Sequence, residues 1–210
     1  MPDASGTLQA VATEPFEGLA GRRLLVLLHG YGADERDLLP VAEALGGDDV
    51  VLSFRGPITL GPGAAWADGP SETILAGTGL RSAALRVLAT IDALVAQAGA
   101  PDAVRLLGFS QGGAVALSAA REAPERFDRV VVLAGFVPAG WAEEEGSPGP
   151  LPPVFWGFGD ADTVIPPAAI ARTDAWLRAH ADAEIRRYPG LTHGIAPDEI
   201  ADVAAFLTRS

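Results

Sequence analysis

The chain of 210 residues has no cysteine and only three histidines. Without cysteine there can be no disulfide, no thiolate nucleophile and no Cys-type zinc site. Positive charge is also scarce: 15 Lys and Arg stand against 27 Asp and Glu, for a formal net charge of −12. Such a surface repels phosphate backbones and anionic headgroups, so neither nucleic-acid binding nor docking onto a charged membrane is expected. No apolar run approaches the roughly 20 residues of a membrane-spanning helix, so stable membrane insertion is not expected. The opening stretch MPDASGTLQAVATEPFEG lacks the basic-then-apolar pattern of a secretory leader. With the missing cysteines, this gives an expected cytoplasmic location. No repeat of roughly 20–50 residues is visible, which argues against a solenoid or propeller.

The residues that are present suit a globular protein, with 49% hydrophobic and 20% charged. The length suits one core, so a single domain over residues 1–210 is expected. Short apolar runs at Leu24–Leu28, Val50–Phe54, Val104–Gly108, Val130–Leu133 and Val154–Phe158 read as strands buried on both faces. Glu184–Tyr188 alternates and reads as a strand nearer an edge. Helices are expected at Asp34–Leu45, Leu80–Ala98, Gly112–Glu122, Pro167–His180 and Pro197–Leu207. This alternation predicts an α/β fold: a mostly parallel central sheet with helices on both faces. Arg55–Ser71 and Glu143–Pro153, rich in Gly, Pro or acids, read as loops. The first is long enough to be functional.

One strand–helix junction carries chemistry. Gly108-Phe109-Ser110-Gln111-Gly112 is G-x-S-x-G between a strand and a helix. A serine nucleophile must stand out at a sharp turn that brings backbone segments together, and Gly108 and Gly112 occupy the positions where a Cβ would clash. The following helix aims its N–H groups and dipole at the site. Gly108, Gly112 and Gly113 would also suit a phosphate-binding turn, but the G-x-G-x-x-G spacing is absent.

A serine needs a base. His180 ends a predicted helix. His29, in LLHGYG, is expected to order its own loop. His193, in GLTHGIAPDE, lies between the last predicted strand and the last helix, where a loop at the sheet edge would carry a base. The acid that orients it must come from Gly159-Asp160-Ala161-Asp162, and spacing alone gives no preference between Asp160 and Asp162. Asp198 and Glu199 open a helix, where acids serve as caps. The developing oxyanion needs two backbone donors: the Gln111 N–H, and one from His29-Gly30-Tyr31-Gly32, where the Tyr31 N–H is favoured. Ile58, Leu60 and Trp66, in the first long loop, either line the acyl site or cover the core.

Together LLHGYGADERDLLP, the Arg55-Gly56-Pro57 turn with Trp66, GFSQGGAVAL, LAGFVP, WGFGDADTVIP and GLTHGI resemble the phospholipase/carboxylesterase family of α/β-hydrolases, which includes acyl-protein thioesterases and small carboxylesterases. The resemblance runs from about residue 24 to the C-terminus. It implies an α/β-hydrolase fold, Ser110 as nucleophile, His193 as base, Tyr31 and Gln111 as oxyanion donors, and no metal or organic cofactor. It also chooses the acid, because Asp162 stands three residues before Ile165-Pro166 as the family pattern requires. Some members are dimers, so a homodimer is among the implied partners. Two features depart from the pattern: Ala64-Ala65 replaces an aromatic often found before the tryptophan, and Glu143–Pro153 is unusually acidic and proline-rich. The dienelactone hydrolases share this fold but use a cysteine that this chain lacks. The expected function is cleavage of a small-molecule carboxylic ester or thioester, or a lysophospholipid, through an acyl-enzyme. The competing readings are a non-catalytic binding protein on this scaffold and a cofactor-free perhydrolase.

Overall fold

A strand with two apolar faces folds only when both are covered. The computed structural model describes residues 6–14, 18–69, 71–142 and 149–209. In chain order the elements are β1 (Ala10–Ala12), β2 (Arg23–Leu28), α1 (Leu39–Leu45), β3 (Val50–Phe54), β4 (Ile58–Leu60), β5 (Gly63–Ala65), α2 (Ser71–Ala76) and α3 (Leu80–Ala98). They continue with β6 (Ala103–Phe109), α4 (Gln111–Glu122), β7 (Arg129–Leu133), β8 (Val154–Gly159), α5 (Pro167–His180), β9 (Ala183–Tyr188) and α6 (Pro197–Thr208).

Seven strands form one sheet in the order β1-β3-β2-β6-β7-β8-β9. Every pairing is parallel except β1 on β3. Alternate residues serve opposite cores. In β2, Leu24, Val26 and Leu28 pack towards α3, α4 and α5, while Leu25 and Leu27 pack towards α1 and α6. The same division separates Leu106 from Leu107, Val132 from Val131, and Trp156 from Phe155. Helices therefore cover both faces, as the sequence predicts. Full burial of each such aliphatic side chain contributes about 1.5–3 kcal/mol.

The chain passes from β2 outward to β3, then returns to place β6 on the other side of β2. The connections leaving the C-terminal ends of β2 and β6 therefore diverge, opening a crevice of the kind in which α/β sheets bind ligands.

Two expectations need correction. The helix expected from Asp34 begins at Leu39. Pro40 sets the boundary, because proline lacks an N–H and is tolerated only in a first turn. Residues 35–38 form turns, with the Arg36 N–H donating to Asp34 Oδ1 at 2.8 Å. Arg55–Ser71 is not a plain loop: β4 and β5 pair as a hairpin through Gly61 and Pro62, and Gly61 has φ +57°. Its last residue, Ser71, opens α2. The strand β1 was not foreseen. Of the loop Glu143–Pro153, residues 143–148 lie outside the described residues, and 149–153 have no regular structure.

Candidate active site

Ser110 sits between β6 and α4 with φ 53° and ψ −115°. A positive φ in a residue with a side chain is costly, of order 1–3 kcal/mol, and persists where the surroundings enforce it. Here packing enforces it. A Cβ at Gly108 would overlap the Gly112 carbonyl, and one at Gly112 would overlap the carbonyls of Leu28 and His29. The turn is thus pressed backbone to backbone against itself and against the end of β2. The Ser110 N–H donates to the Leu133 carbonyl at 2.8 Å. Its side chain remains reachable, and the residue is 8% exposed.

His193 comes to Ser110 from the loop between β9 and α6. Its Nε2 lies 2.9 Å from Ser110 Oγ, and its Nδ1 lies 2.7 Å from Asp162 Oδ2. The ring packs against Phe109, with centroids 5.0 Å apart. Asp162 follows β8, and its side chain is only 1% exposed. Its other oxygen accepts the Val164 and Ile165 N–H groups at 2.7 and 3.0 Å, which fixes the carboxylate plane. The structure thus joins Ser110, His193 and Asp162 in one chain of hydrogen bonds. Asp160 is not part of it. Asp160 accepts the Gly190 N–H at 2.6 Å and pairs with Arg187 at 3.1 Å, tying the loop after β8 to the loop after β9.

The other histidines stand apart. His29 is fully buried. The Gly56 N–H donates to its Nε2 at 3.0 Å, which leaves the ring proton on Nδ1, 2.7 Å from the Gly30 carbonyl. Burial pushes its pKa below the ordinary value, against the opposing effect of that carbonyl. It orders its own loop, as the sequence suggests. His180 lies at the end of α5, with Nδ1 2.8 Å from the Trp176 carbonyl and its ring stacked on Trp176.

The loop after β2 carries Tyr31. The hairpin holds it: the Gly32 N–H donates to Ala64 O at 2.9 Å, and the Ala64 N–H to Ala33 O at 2.7 Å. Gln111 opens α4. Among the described residues, neither the Tyr31 nor the Gln111 N–H has a protein acceptor, and both residues line a cavity together with Ser110. The Gln111 side chain has a task the sequence does not reveal. Its Oε1 accepts the Trp66 N–H at 2.9 Å and its Nε2 donates to the Ala67 carbonyl at 2.7 Å. It therefore clamps the segment after the hairpin to the serine turn. Its partners lie more than forty residues away in sequence, so no local pattern announces them.

The cavity beside Ser110 measures about 240 Å³. Ile74 and Leu75 of α2, Phe136, Val164 and Ile165 supply its apolar lining, and no charged side chain is among the described residues that line it. Ile58, Leu60 and Trp66 do not line it. Trp66 is 2% exposed and belongs to the core, with its indole N–H donating to the His29 carbonyl at 2.8 Å. The hairpin covers the loop after β2, and the wall of the cavity is α2, which the sequence reading overlooked. A larger hollow of about 590 Å³ lies between Arg22, Glu43 and Asp49 and touches none of Ser110, His193 or Asp162, so size alone does not mark the site. Among the described residues, no group of His, Asp or Glu is arranged to hold a metal ion, and no helix is long and apolar enough to cross a membrane.

The chain is 30% identical over 115 residues to acyl-protein thioesterase 1 of Saccharomyces cerevisiae, a match covering 52% of this chain and 51% of that protein. It thus spans about half the length of that relative. It is 27% identical over 164 residues to carboxylesterase SOBER1 of Arabidopsis thaliana, covering 73% of this chain and 72% of that one. The crystal structure of esterase PE8 superposes with a TM-score of 0.76 at 27% identity, over 96% of this chain and 97% of the other. Residues 69–210 match the phospholipase/carboxylesterase family, more than half of the chain. By that match, the chain belongs to the phospholipase/carboxylesterase family of α/β-hydrolases.

Proposed function

We propose that the chain is a serine hydrolase that cleaves carboxylic esters or thioesters through an acyl-enzyme, with Ser110 as nucleophile, His193 as general base and acid, and Asp162 as the residue that orients the histidine. The observation that carries this reading is the continuous hydrogen-bond chain from Asp162 Oδ2 through both His193 nitrogens to Ser110 Oγ. In the working tautomer Nδ1–H donates to Asp162, and the serine hydroxyl donates to Nε2. Attack on the carbonyl transfers the hydroxyl proton to His193. The leaving alcohol or thiol takes that proton, and water then cleaves the acyl-enzyme with the roles reversed.

The oxyanion is assigned to the N–H groups of Tyr31 and Gln111, with the N-terminus of α4 adding its dipole. Their lack of protein acceptors among the described residues supports this. The uncharged lining of the cavity suits an apolar acyl group better than a charged one. The names of the relatives, thioesterase and carboxylesterase, agree with ester or thioester cleavage.

The test has two parts. A fluorophosphonate should label the wild type and leave Ser110→Ala untouched, and that variant should lose about 10⁶ in turnover of a p-nitrophenyl ester. Turnover largely retained in Ser110→Ala overturns the assignment. A panel of esters, thioesters and lysophospholipids of graded acyl length identifies the leaving group.

A further inference from the structure

Glu199, the third residue of α6, reads in sequence as a helix-capping acid. It does serve the helix start, since its Oε2 accepts the Ala196 N–H at 3.3 Å. Yet the residue is 0% exposed, and its other oxygen, Oε1, has no hydrogen-bond partner. That oxygen rests on β8 at Gly157, where it fills the space a Cβ would need. The carboxyl therefore spans two pieces of chain. Ala196 ends the loop that carries His193, and Gly157 lies in the strand that leads into the turn carrying Asp162.

Among the described residues, the groups that act on this carboxyl include no cation. From its own helix it faces Asp202. From β9 it faces Tyr188, whose hydroxyl donates to Asp202 Oδ2 at 2.8 Å. Arg186, also on β9, acts on Tyr188 and Asp202 but is bonded to Glu184 at 2.7 Å. On β8 the carboxyl lies over Gly157, whose missing side chain leaves the room, and the ring of Phe155 borders the same space. Burial raises the Glu199 carboxyl to about 7, against the Ala196 N–H, and the Asp202 charge adds to the rise. A neutral carboxyl is tolerable in such a place. An ionised one is an uncompensated buried charge, which is relieved by drawing in water or by turning outward.

We propose that Glu199 is a positioning residue, that its carboxyl sets the spacing between the His193 loop and the strand leading to Asp162, and that ionising it loosens that spacing. This rests on the assignment of His193 and Asp162 as base and orienting acid. Glu199 touches neither substrate nor reacting atoms. Its effect passes through the alignment of His193, so it appears in turnover rather than in substrate affinity.

The experiment measures kcat and KM for a p-nitrophenyl ester from about pH 5.5 to about pH 9, per Ser110 site titrated with a fluorophosphonate. Glu199→Gln keeps the shape and the acceptor for Ala196 but cannot ionise. It should match the wild type at the acid end within about twofold and exceed it on the alkaline side, the two profiles parting near pH 7. Glu199→Ala, which loses the bridge, should lower kcat about tenfold at unchanged KM, with Gln restoring it. Superimposed Gln and wild-type profiles overturn the proposal, as does a wild-type kcat per titrated site in Glu199→Ala. If the alanine variant does not fold, the comparison of Gln with wild type decides alone. Turnover that survives Ser110→Ala would instead overturn the triad, and the role of Glu199 with it. Superimposed profiles beside an inactive Ser110→Ala overturn only the role of Glu199.

Discussion

On the Ser110 side of the site the chain is packed backbone to backbone, whereas on the His193–Asp162 side it is held by side-chain hydrogen bonds. Around Ser110 the missing side chains of Gly108 and Gly112 are replaced by carbonyl groups of the facing chain. Around His193 the loops are held by side chains: Asp160 ties the loop after β8 to Gly190 after β9, Asp162 braces its own loop at Val164 and Ile165, and Glu199 caps α6 at Ala196. Steric packing leaves no room for one added carbon but does not respond to pH. Hydrogen-bonded loops tolerate small changes, lose alignment gradually and can titrate. The strained serine is thus built as a fixed point, and the histidine is brought to it by adjustable parts.

Four changes break or sharpen this contrast, in descending order. Asp162→Asn should leave the fold intact, by circular dichroism, while lowering turnover by about 10⁴, because the wrong histidine tautomer is then favoured. Equal turnover would remove Asp162 from the mechanism. Gly112→Ala should cost about 3 kcal/mol or more in urea unfolding, since the new carbon meets the backbone carbonyls of Leu28 and His29, which cannot rotate away. A neutral result would mean that the turn is not close-packed.

Glu199→Gln comes next, now read as stability. The folded carboxyl keeps its proton up to about 7, while in the unfolded chain the group titrates near its ordinary 4.5. The neutral group therefore favours the fold fully below about pH 4.5, and that advantage is lost between about 4.5 and 7. At pH 8 the variant should exceed the wild type by up to about 3 kcal/mol, with no gain at pH 4. Equal stabilities at pH 8 would show that the buried carboxylate is compensated after all. The smallest effect is expected for Asp160→Ala, about 1–2 kcal/mol in stability and about tenfold in turnover, because it unties the acid loop from the base loop without touching the histidine. A loss as large as that of Asp162→Asn would contradict the division of labour between the two acids.

The two sides also differ in how far the sequence discloses them. The serine turn is local: strand, G-x-S-x-G and helix are contiguous, so the need for Gly108 and Gly112 follows from geometry within a few residues. The apolar runs of the parallel strands are equally legible, because burial on both faces leaves little room for polar residues. Asp160 and Asp162 are different. Spacing does not separate them, and only the family resemblance did so before the structure showed which one meets His193. Outside the Ser110–His193–Asp162 set, side chains whose partners lie far along the chain were not legible. The Gln111 side chain meets Trp66 and Ala67, and Glu199 rests on Gly157 although its position reads as an ordinary cap. The helix α2, which walls the cavity, was hidden because its six residues are too few to show a period. The strand β1 has three residues and owes its conformation to pairing with β3. The late start of α1 had a visible sign in Pro40.

The edge strand β9 has a consequence for behaviour at high concentration. A parallel sheet that ends in a bare strand offers unsatisfied amides and carbonyls to any extended segment, which is a route to fibres. Here the last strand carries Glu184, Arg186 and Arg187, with both arginines exposed. A foreign strand seeking to extend the sheet here would have to be accommodated beside two exposed guanidinium groups, one on each face. That edge of the sheet is thereby guarded against growing into its neighbours.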